Sequence, residues 1–491
     1  MQEQQHPLFL ALDIGTSSVR TGLYTFDGEV LPETMVKISR SLEATIDGGF
    51  EIEAETAFEQ AVEAIDELLA KLPSEPIEYA AISCFWHSLL GVDASGGPTT
   101  KLFAWGETRP ARYVDDLKAR FDESHFHNIT GSPFHSSYWP AKLLWIKDEF
   151  EEAFSSTRSW FSFSDFIVLR LFDLVETSVS MASGTGLFDQ RANEWCRDLI
   201  DGLNLSRDHF PNIAPDERTY RLNRKYAERW PQLAETNWYP AIGDGAANNI
   251  GADCVGNDRA ALMIGTSGAM RVLYKGEVPE TIPKGLWCYR ADHKLVVIGG
   301  AISDGGGLYR WLKDTLRLSD DDDETEKKIA EREPAGHGLV FLPFLAGERS
   351  TGYHEFATGA LVGLRTAHNS IDIAQAALES VAYRFASIYE RLASVLPIKR
   401  ITASGGALRG SPVWTQMIAD VLEIELHLPE TREASSRGAV LLASQKAGLI
   451  GWDEMKHTVS EDVFEPDVAK SKQYSNARRL HEELYEILIE R

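Results

Sequence analysis

A chain of 491 residues is too long for a single core and long enough for two large domains. It carries 49 Lys plus Arg against 74 Asp plus Glu, a net charge of −25, which argues against nucleic acid or an anionic membrane as a partner. With 43% hydrophobic and 25% charged residues its composition is ordinary for a globular protein, and no run approaches the roughly 20 apolar residues of a membrane span.

The start, MQEQQHP, has no basic stretch and no apolar one, so a cytoplasmic location without a secretory leader is expected. Cys84, Cys196, Cys254 and Cys288 are widely spread and form no C-x-x-C pair. That fits free thiols better than disulfides or a zinc site. Leu12 to Tyr24 reads LDIGTSSVRTGLY: an apolar strand, a tight Gly-Thr-Ser turn and a second strand, the pattern of a β-hairpin. Such a turn leaves backbone N–H groups open to phosphate oxygens. Asp13 ends the first strand, where a carboxylate is costly without a partner. A Mg²⁺ shell beside a phosphate and a turn-capping role both answer that cost.

The apolar spacing from Thr56 to Leu72 predicts an amphipathic helix, capped by Thr56 and Glu59 and stopped by Pro73 and Pro76. A strand over 79–83 leads into Phe85-Trp86-His87-Ser88. Rings and an imidazole just past a strand end suit sugar recognition or an aromatic core plug. Trp105-Gly106-Glu107-Thr108-Arg109 sets an aromatic, an acceptor and a fixed cation together, before a helix opened by Pro110. The turn cluster from Thr130 to His135 precedes a helix over 143–150, and no element is assigned between Trp160 and Gln190. Asp244 then sits between Gly243 and Gly245, ahead of small residues that start a helix. It reads as a proton acceptor for a substrate hydroxyl or as a plain helix cap.

The second half repeats the first motif. LMIGTSGAMRVLY, Leu262 to Tyr274, aligns with Leu12 to Tyr24 without a gap, 250 residues downstream. Two copies point to a duplicated domain whose hairpins face each other across a cleft. A strand over 295–298 enters Gly299-Gly300, and Ser303-Asp304-Gly305-Gly306-Gly307 opens a helix. A strand over 338–343 precedes Gly347-Glu348-Arg349, and Ser370 caps a long helix. A strand over 400–403 enters Ser404-Gly405-Gly406-Ala407, the arrangement for close approach of backbone to a nucleotide. Ser411-Pro412 starts another helix, and a charged amphipathic helix over 473–490 closes the chain as a peripheral cover. The acidic run from Asp320 to Glu324 reads as a solvated loop or helix start rather than a metal site. No P-loop is present, so any ATP would be held by the paired hairpins and the late Gly-Gly loops.

The paired hairpins, the Gly-Asp-Gly loop at Asp244, GERSTGYHEF (Gly347 to Phe356), the run from Gly359 to Glu379 and SGGALRGSPVWTQMIADVL (Ser404 to Leu422) resemble the FGGY carbohydrate kinases over about Leu8 to Leu449. The resemblance implies an α/β fold of two actin-like, ribonuclease-H-like domains, residues 1–253 and 254–491, with an ATP cleft between them. It implies ATP and Mg²⁺ as cofactors and a small-molecule sugar or sugar acid as partner, and it leaves a homodimer open. Matched residue by residue, it implies that Asp244 is the general base and Asp13 the carboxylate near Mg²⁺. Thr16, Ser17, Ser18 and Arg20 match the first phosphate loop and Thr266 the second. Gly306 and Arg310 match positions flanking the nucleotide, and Gly406 and Gly410 match the adenosine loop. Trp86, His87, Trp105, Glu107 and His135 match sugar-pocket positions, together with Asp244. Within the family, Trp86-His87-Ser88, Thr130 to His135 and Trp287-Cys288-Tyr289 look most like the members that phosphorylate the terminal hydroxyl of gluconate. Kinases of xylulose, ribulose or glycerol are the alternatives, and an actin-like ATPase is a further one. Trp86, Glu107-Thr108 and Ser350 to Tyr353 depart from the usual pattern near the sugar. A gluconate carboxylate needs a cation, and Arg109 is a candidate for it or for a structural ion pair.

Overall fold

Seven residues, Leu8–Ile14, form β1, and the turn at Gly15 returns the chain as β2 (Ser18–Thr25). The pair is antiparallel, with Ile14 opposite Val19. The computed structural model describes residues 7–72, 76–429, 433–455 and 460–490; the start of the chain at 1–6 and the expected helix stop at Pro73 lie outside them. β3 (Val36–Ser39) extends the hairpin antiparallel to β2. α1 (Ala54–Ala70) follows. It starts two residues before Thr56, behind Glu53, because Ala54 and Ala57 are already buried; no side-chain cap forms at that end. β4 (Tyr79–Cys84) pairs parallel with β1, and β5 (Asn237–Trp238) and β6 (Ile242–Gly243) pair parallel with β4. The result is a six-stranded sheet from which α2 (Asp244–Gly251) departs.

The second half repeats the plan in a seven-stranded sheet. β7 (Arg259–Ile264) and β8 (Gly268–Lys275) form the second hairpin, with Ile264 opposite Gly268. β9 (Trp287–Arg290) and β10 (Leu295–Ile302) continue it antiparallel. β10 runs straight through Gly299 and Gly300, past the strand end expected at Ile298. The physical reason is close packing: a Cβ on Gly300 would lie 2.8 Å from Ile388, and one on Gly299 2.4 Å from the Met270 carbonyl. α3 (Gly306–Leu316) follows, and α4 (Ser370–Ala393) supplies Ile388. The cap of α4 is Asn369, in a capping box with Asp372, rather than Ser370. β11 (Arg400–Ser404) pairs parallel with β7, α5 (Pro412–Leu422) is capped by Ser411 as expected, and β12 (Leu426–Pro429) pairs parallel with β11. α6 (Ala434–Lys446), β13 (Ser460–Phe464) and α7 (Val468–Leu488) complete the order.

Two features tie the halves together. Ala439, Val440 and Leu441 of α6 join the core of the first sheet, as do Leu273, Trp287 and Tyr289 of the second. α2 and α6 cross at glycines, where a Cβ on Gly438 would lie 1.8 Å from the Ala247 carbonyl and one on Gly251 1.9 Å from the Ala434 carbonyl. Between Trp160 and Gln190 the structure has a helix, Phe163–Phe172, that is buried nearly all round and so carries no amphipathic period. The helix expected over 143–150 is Trp139–Glu149, with Pro140 in its first turn. All four cysteines are free and buried.

Candidate active site

Register alone brings two carboxylates together. Asp13 and Ile242 both sit opposite Ser83, on the two flanks of β4. Asp13 at the end of β1 and Asp244 just past β6 therefore emerge at the same C-terminal edge of the parallel strands, the edge where open α/β sheets take ligands. Asp13 is 6% exposed. Burial pushes its carboxyl up to about 6, the Ser83 hydroxyl and Arg20 oppose the rise, and Asp244 and Glu433 add to it. Arg20 Nη1 lies 3.6 Å from Asp13 and 3.0 Å from Glu433. Asp244 is the first residue of α2, behind Gly243, and its Oδ1 accepts from the Gly245 N–H at 2.7 Å. Burial raises its carboxyl too, while Arg271, the Gly245 N–H and Arg349 hold it down.

The loops around this edge close on each other. Gly15 N donates to Ser18 O at 2.9 Å in the first turn. There Thr16 is half-buried, Ser17 exposed and Ser18 buried. Thr266 is exposed in the second turn, and its carbonyl accepts from Gly305 at 3.1 Å and Gly307 at 2.9 Å. Gly306 donates to Gly265 O at 2.8 Å. A Cβ on Gly306 would meet that carbonyl at 2.6 Å and Ala407 at 3.0 Å, so α3, the second hairpin and the Gly406 turn are in contact. Gly405 holds this turn at φ 102°, a left-handed conformation that favours glycine. Gly406, Gly410 and Arg310 are exposed around it.

On the other side of Asp244 lies a cluster of rings and hydroxyls. Trp86 Nε1 donates to Ser180 O at 2.8 Å, and His87 Nδ1 lies 2.5 Å from Gly184 O. His87 has φ 68°, and the buried Lys142 donates to its carbonyl at 2.7 Å. The second half contributes Tyr289, whose hydroxyl is 2.6 Å from that of Tyr138 and whose ring stacks on Trp287 at 4.5 Å. Tyr289 also meets the edges of Trp86 and His87 at 5.3 and 5.6 Å. His135 lies edge-on to Tyr353 at 5.4 Å, and its Nε2 is 3.5 Å from Glu355. Ser136 donates to the same carboxylate from its N–H at 2.6 Å and its hydroxyl at 2.7 Å. Trp105 is half-buried beneath the Arg349 guanidinium, 5.5 Å from the ring centroid.

Glu107 is not part of this group, against its expected place in the sugar pocket. It is fully buried, and its carboxylate accepts from Arg109 Nε and Nη2 at 2.7 Å each and from Phe50 N at 3.1 Å. Arg109 also pairs with Glu51, so the structural reading of Arg109 holds.

The halves of the site lie in two recognisable segments. Residues 8–251 match the N-terminal domain of the FGGY family of carbohydrate kinases, and residues 260–447 match its C-terminal domain. The chain belongs to the FGGY family of carbohydrate kinases. It is a sugar kinase with the two-domain, mixed α/β FGGY fold, and the family's phosphate donor is ATP. It is 29% identical over 455 residues to the gluconokinase of Bacillus subtilis (strain 168), covering 90% of this chain and 88% of that one. The gluconate kinase structure from Lactobacillus acidophilus superposes with a TM-score of 0.90 at 26% identity, over 98% of both chains. The ligand-bound xylulose kinase from the same organism superposes with a TM-score of 0.90 at 25% identity, again over 98% of both. No helix among the described residues of this FGGY kinase is long and apolar enough to cross a membrane.

Two cations at the site escaped the sequence reading. Arg271 is buried on β8, pushed down to about 10 by burial with Asp244 opposing, and lies 3.5 Å from the Gly245 carbonyl. Its signal was an arginine inside an otherwise apolar strand, where the first hairpin has Thr21. Arg349 stands in the Gly-Glu-Arg motif, in plain view but without an assigned role.

Proposed function

We propose that this FGGY kinase transfers the γ-phosphoryl group of ATP to the terminal hydroxyl of D-gluconate. The observation that carries the reading is the position of Asp244. Asp244 is half-buried at the strand edge, with Asp13 and the phosphate-type turns on one side and the ring-and-hydroxyl cluster on the other. The similarity to gluconokinases supports gluconate as the acceptor.

In this reading the acceptor lies against Trp86, His87, Trp105 and His135, with rings covering C–H faces and polar atoms meeting hydroxyls. Asp244 takes the proton from the terminal hydroxyl as its oxygen bonds to the γ-phosphorus, and the bond to the bridging oxygen of ADP breaks on the opposite side. Arg271 opposes the rise that burial imposes on the Asp244 carboxyl. Thr16, Ser17, Ser18, Arg20 and Thr266, with the N–H groups of their turns, hold phosphate oxygens. Gly306, Arg310, Gly406 and Gly410 border the nucleoside. Contacts such as Ser136 to Glu355 join the two halves over the acceptor and exclude water, which limits ATP hydrolysis.

Asp13 fits a magnesium site. It is a buried carboxylate with Arg20 as its one ion-pair partner at the edge, and among the described residues no group of three or more ligating side chains forms a closed cage. Mg²⁺ is commonly held by one or two carboxylates together with substrate phosphates and water. Held by Asp13, the ion would neutralise charge on the donor phosphates.

Release of ADP across a panel of gluconate, xylulose, ribulose and glycerol tests the acceptor. Turnover with a pentulose and none with gluconate sinks the gluconate reading. Asp244→Asn should lower kcat by about 10²–10⁴ with nucleotide binding retained, the usual scale for a general base; a near-normal rate would assign the base elsewhere.

A further inference from the structure

A sugar acid brings a full negative charge into a chain with net charge −25, so some cation has to meet it. The buried and half-buried cations of this region can be taken in turn. Arg109 is committed to Glu51 and Glu107. Lys142 is wholly buried and donates to the His87 and Ala104 carbonyls at 2.7 and 2.8 Å. Arg271 lies 3.5 Å from the Gly245 carbonyl and is the first of the cations that hold the Asp244 carboxyl down. Arg20 is held between Asp13 and Glu433 on the phosphate side.

Arg349 differs from all of these. Among the described residues it pairs with no carboxylate; its contact is the Trp105 ring. Its neighbour in sequence is no partner for it. Glu348 is buried, paired with Arg384, and accepts from the Tyr485 hydroxyl at 2.8 Å on each oxygen and from Gly352 N at 3.2 Å. Those contacts anchor the loop and leave the next side chain to point elsewhere. The Arg349 charge is felt by His87, His135, Tyr138, Tyr289 and Asp244, the sugar side of the cleft. Asp13, on the phosphate side, is governed by Arg20 instead.

We infer that Arg349 binds the substrate's carboxylate and makes this kinase selective for sugar acids over uncharged polyols. A guanidinium lying on an aromatic face presents its N–H edge outward, and that edge matches a carboxylate bidentately. Trp105 fixes the plane of the fork, and the Glu348 network fixes the loop that carries it. The inference rests on the gluconate reading above and adds the residue that would enforce it.

The test compares D-gluconate with D-glucitol, which has the same carbon count and an alcohol in place of the carboxylate. Wild-type protein should prefer gluconate in kcat/KM by about 10–100-fold, the range for a hydrogen-bonded charge pair. Arg349→Gln should cut that preference at least tenfold, with KM for gluconate taking most of the change and KM for ATP staying within about threefold. Arg349→Lys should recover part of the preference, because it restores charge without the fork. Equal losses on both substrates in Arg349→Gln, with ATP binding and thermal unfolding as in wild type, would overturn the inference, since the arginine would then serve phosphoryl transfer. An unstable Arg349→Gln protein moves the decision to Arg349→Lys: an unaltered preference there overturns the inference as well. Wild-type protein with no preference for gluconate over glucitol refutes the gluconate reading and this inference with it, and is seen before any variant is made.

Discussion

Asp13 is held in an unfavourable state when no metal or nucleotide is present, and replacing it should stabilise the protein. Its side chain is 8% exposed, and burial moves the carboxyl from 3.8 to about 6. At about 1.4 kcal/mol per pH unit, the ionised form costs the folded state about 3 kcal/mol. The sign follows from proton counting. Between these two pH values the folded state binds more protons than the unfolded one, so stability falls as pH rises through that window and stays low above about 6. Asp13→Asn has no charge to bury. It also strands no partner, because Arg20 keeps Glu433 at 3.0 Å. The variant should exceed wild type by about 1 kcal/mol near pH 4.5 and by about 3 kcal/mol at pH 8, several degrees in Tm at about 2–4 °C per kcal/mol for a domain-sized unit. Thermal unfolding of both proteins from pH 4.5 to 8 without nucleotide reads this directly. Adding Mg·ATP should then narrow or reverse the gap, because wild type alone keeps the carboxylate. A variant less stable than wild type at pH 8, or a difference that does not change with pH, would refute the reasoning.

Three further outcomes follow from the same contacts. The kcat/KM profile should fall as pH drops through about 6, because the proposed roles of Asp13 and Asp244 need both carboxylates ionised and burial raises both; a flat profile from pH 5 to 8 contradicts it. Glu355→Gln should raise KM for the sugar about tenfold with a smaller effect on KM for ATP, since it weakens a charged acceptor for two Ser136 donors. Gly438→Ala should destabilise by about 1–3 kcal/mol or more in urea unfolding, because its methyl would lie 1.8 Å from the Ala247 carbonyl where the helices cross; wild-type stability would mean that the helices separate freely.

Short-range chemistry made much of this molecule readable. The two Gly-Thr-Ser turns, the Ser411-Pro412 helix start and the four lone cysteines are local features, and each is found as read. The Asp244 loop is also local, though its residue proves to be the first of the helix rather than its cap. Failures came where a partner distant in sequence decides. Gly299 and Gly300 look like the end of a strand until α4 is laid across them, and the buried Phe163–Phe172 helix has no period because nearly every side meets protein. Its Ser162 and Asp165 capping box was the available signal. Glu107 looked like an acceptor for sugar because Glu51, which helps to claim Arg109, lies 56 positions earlier in the chain. The cationic side of the cleft was missed because Arg271 and Arg349 come from separate segments and meet Asp244 only in the fold.

The repeat explains that cationic side once the two hairpins are compared position by position. Where the first has Asp13, Arg20 and Thr21, the second has Met263, Met270 and Arg271. The turns stay alike because both present backbone donors, a task that any Gly-Thr-Ser turn can do. The strands diverge in charge at these three positions. Carboxylates Asp13 and Asp244 come from the edge of the first sheet, while Arg271 and Arg349 come from the second half. α2 starts at Asp244 and crosses α6 without space for a methyl group, so the acidic edge cannot slide far from the helix that the second half lays against the first sheet.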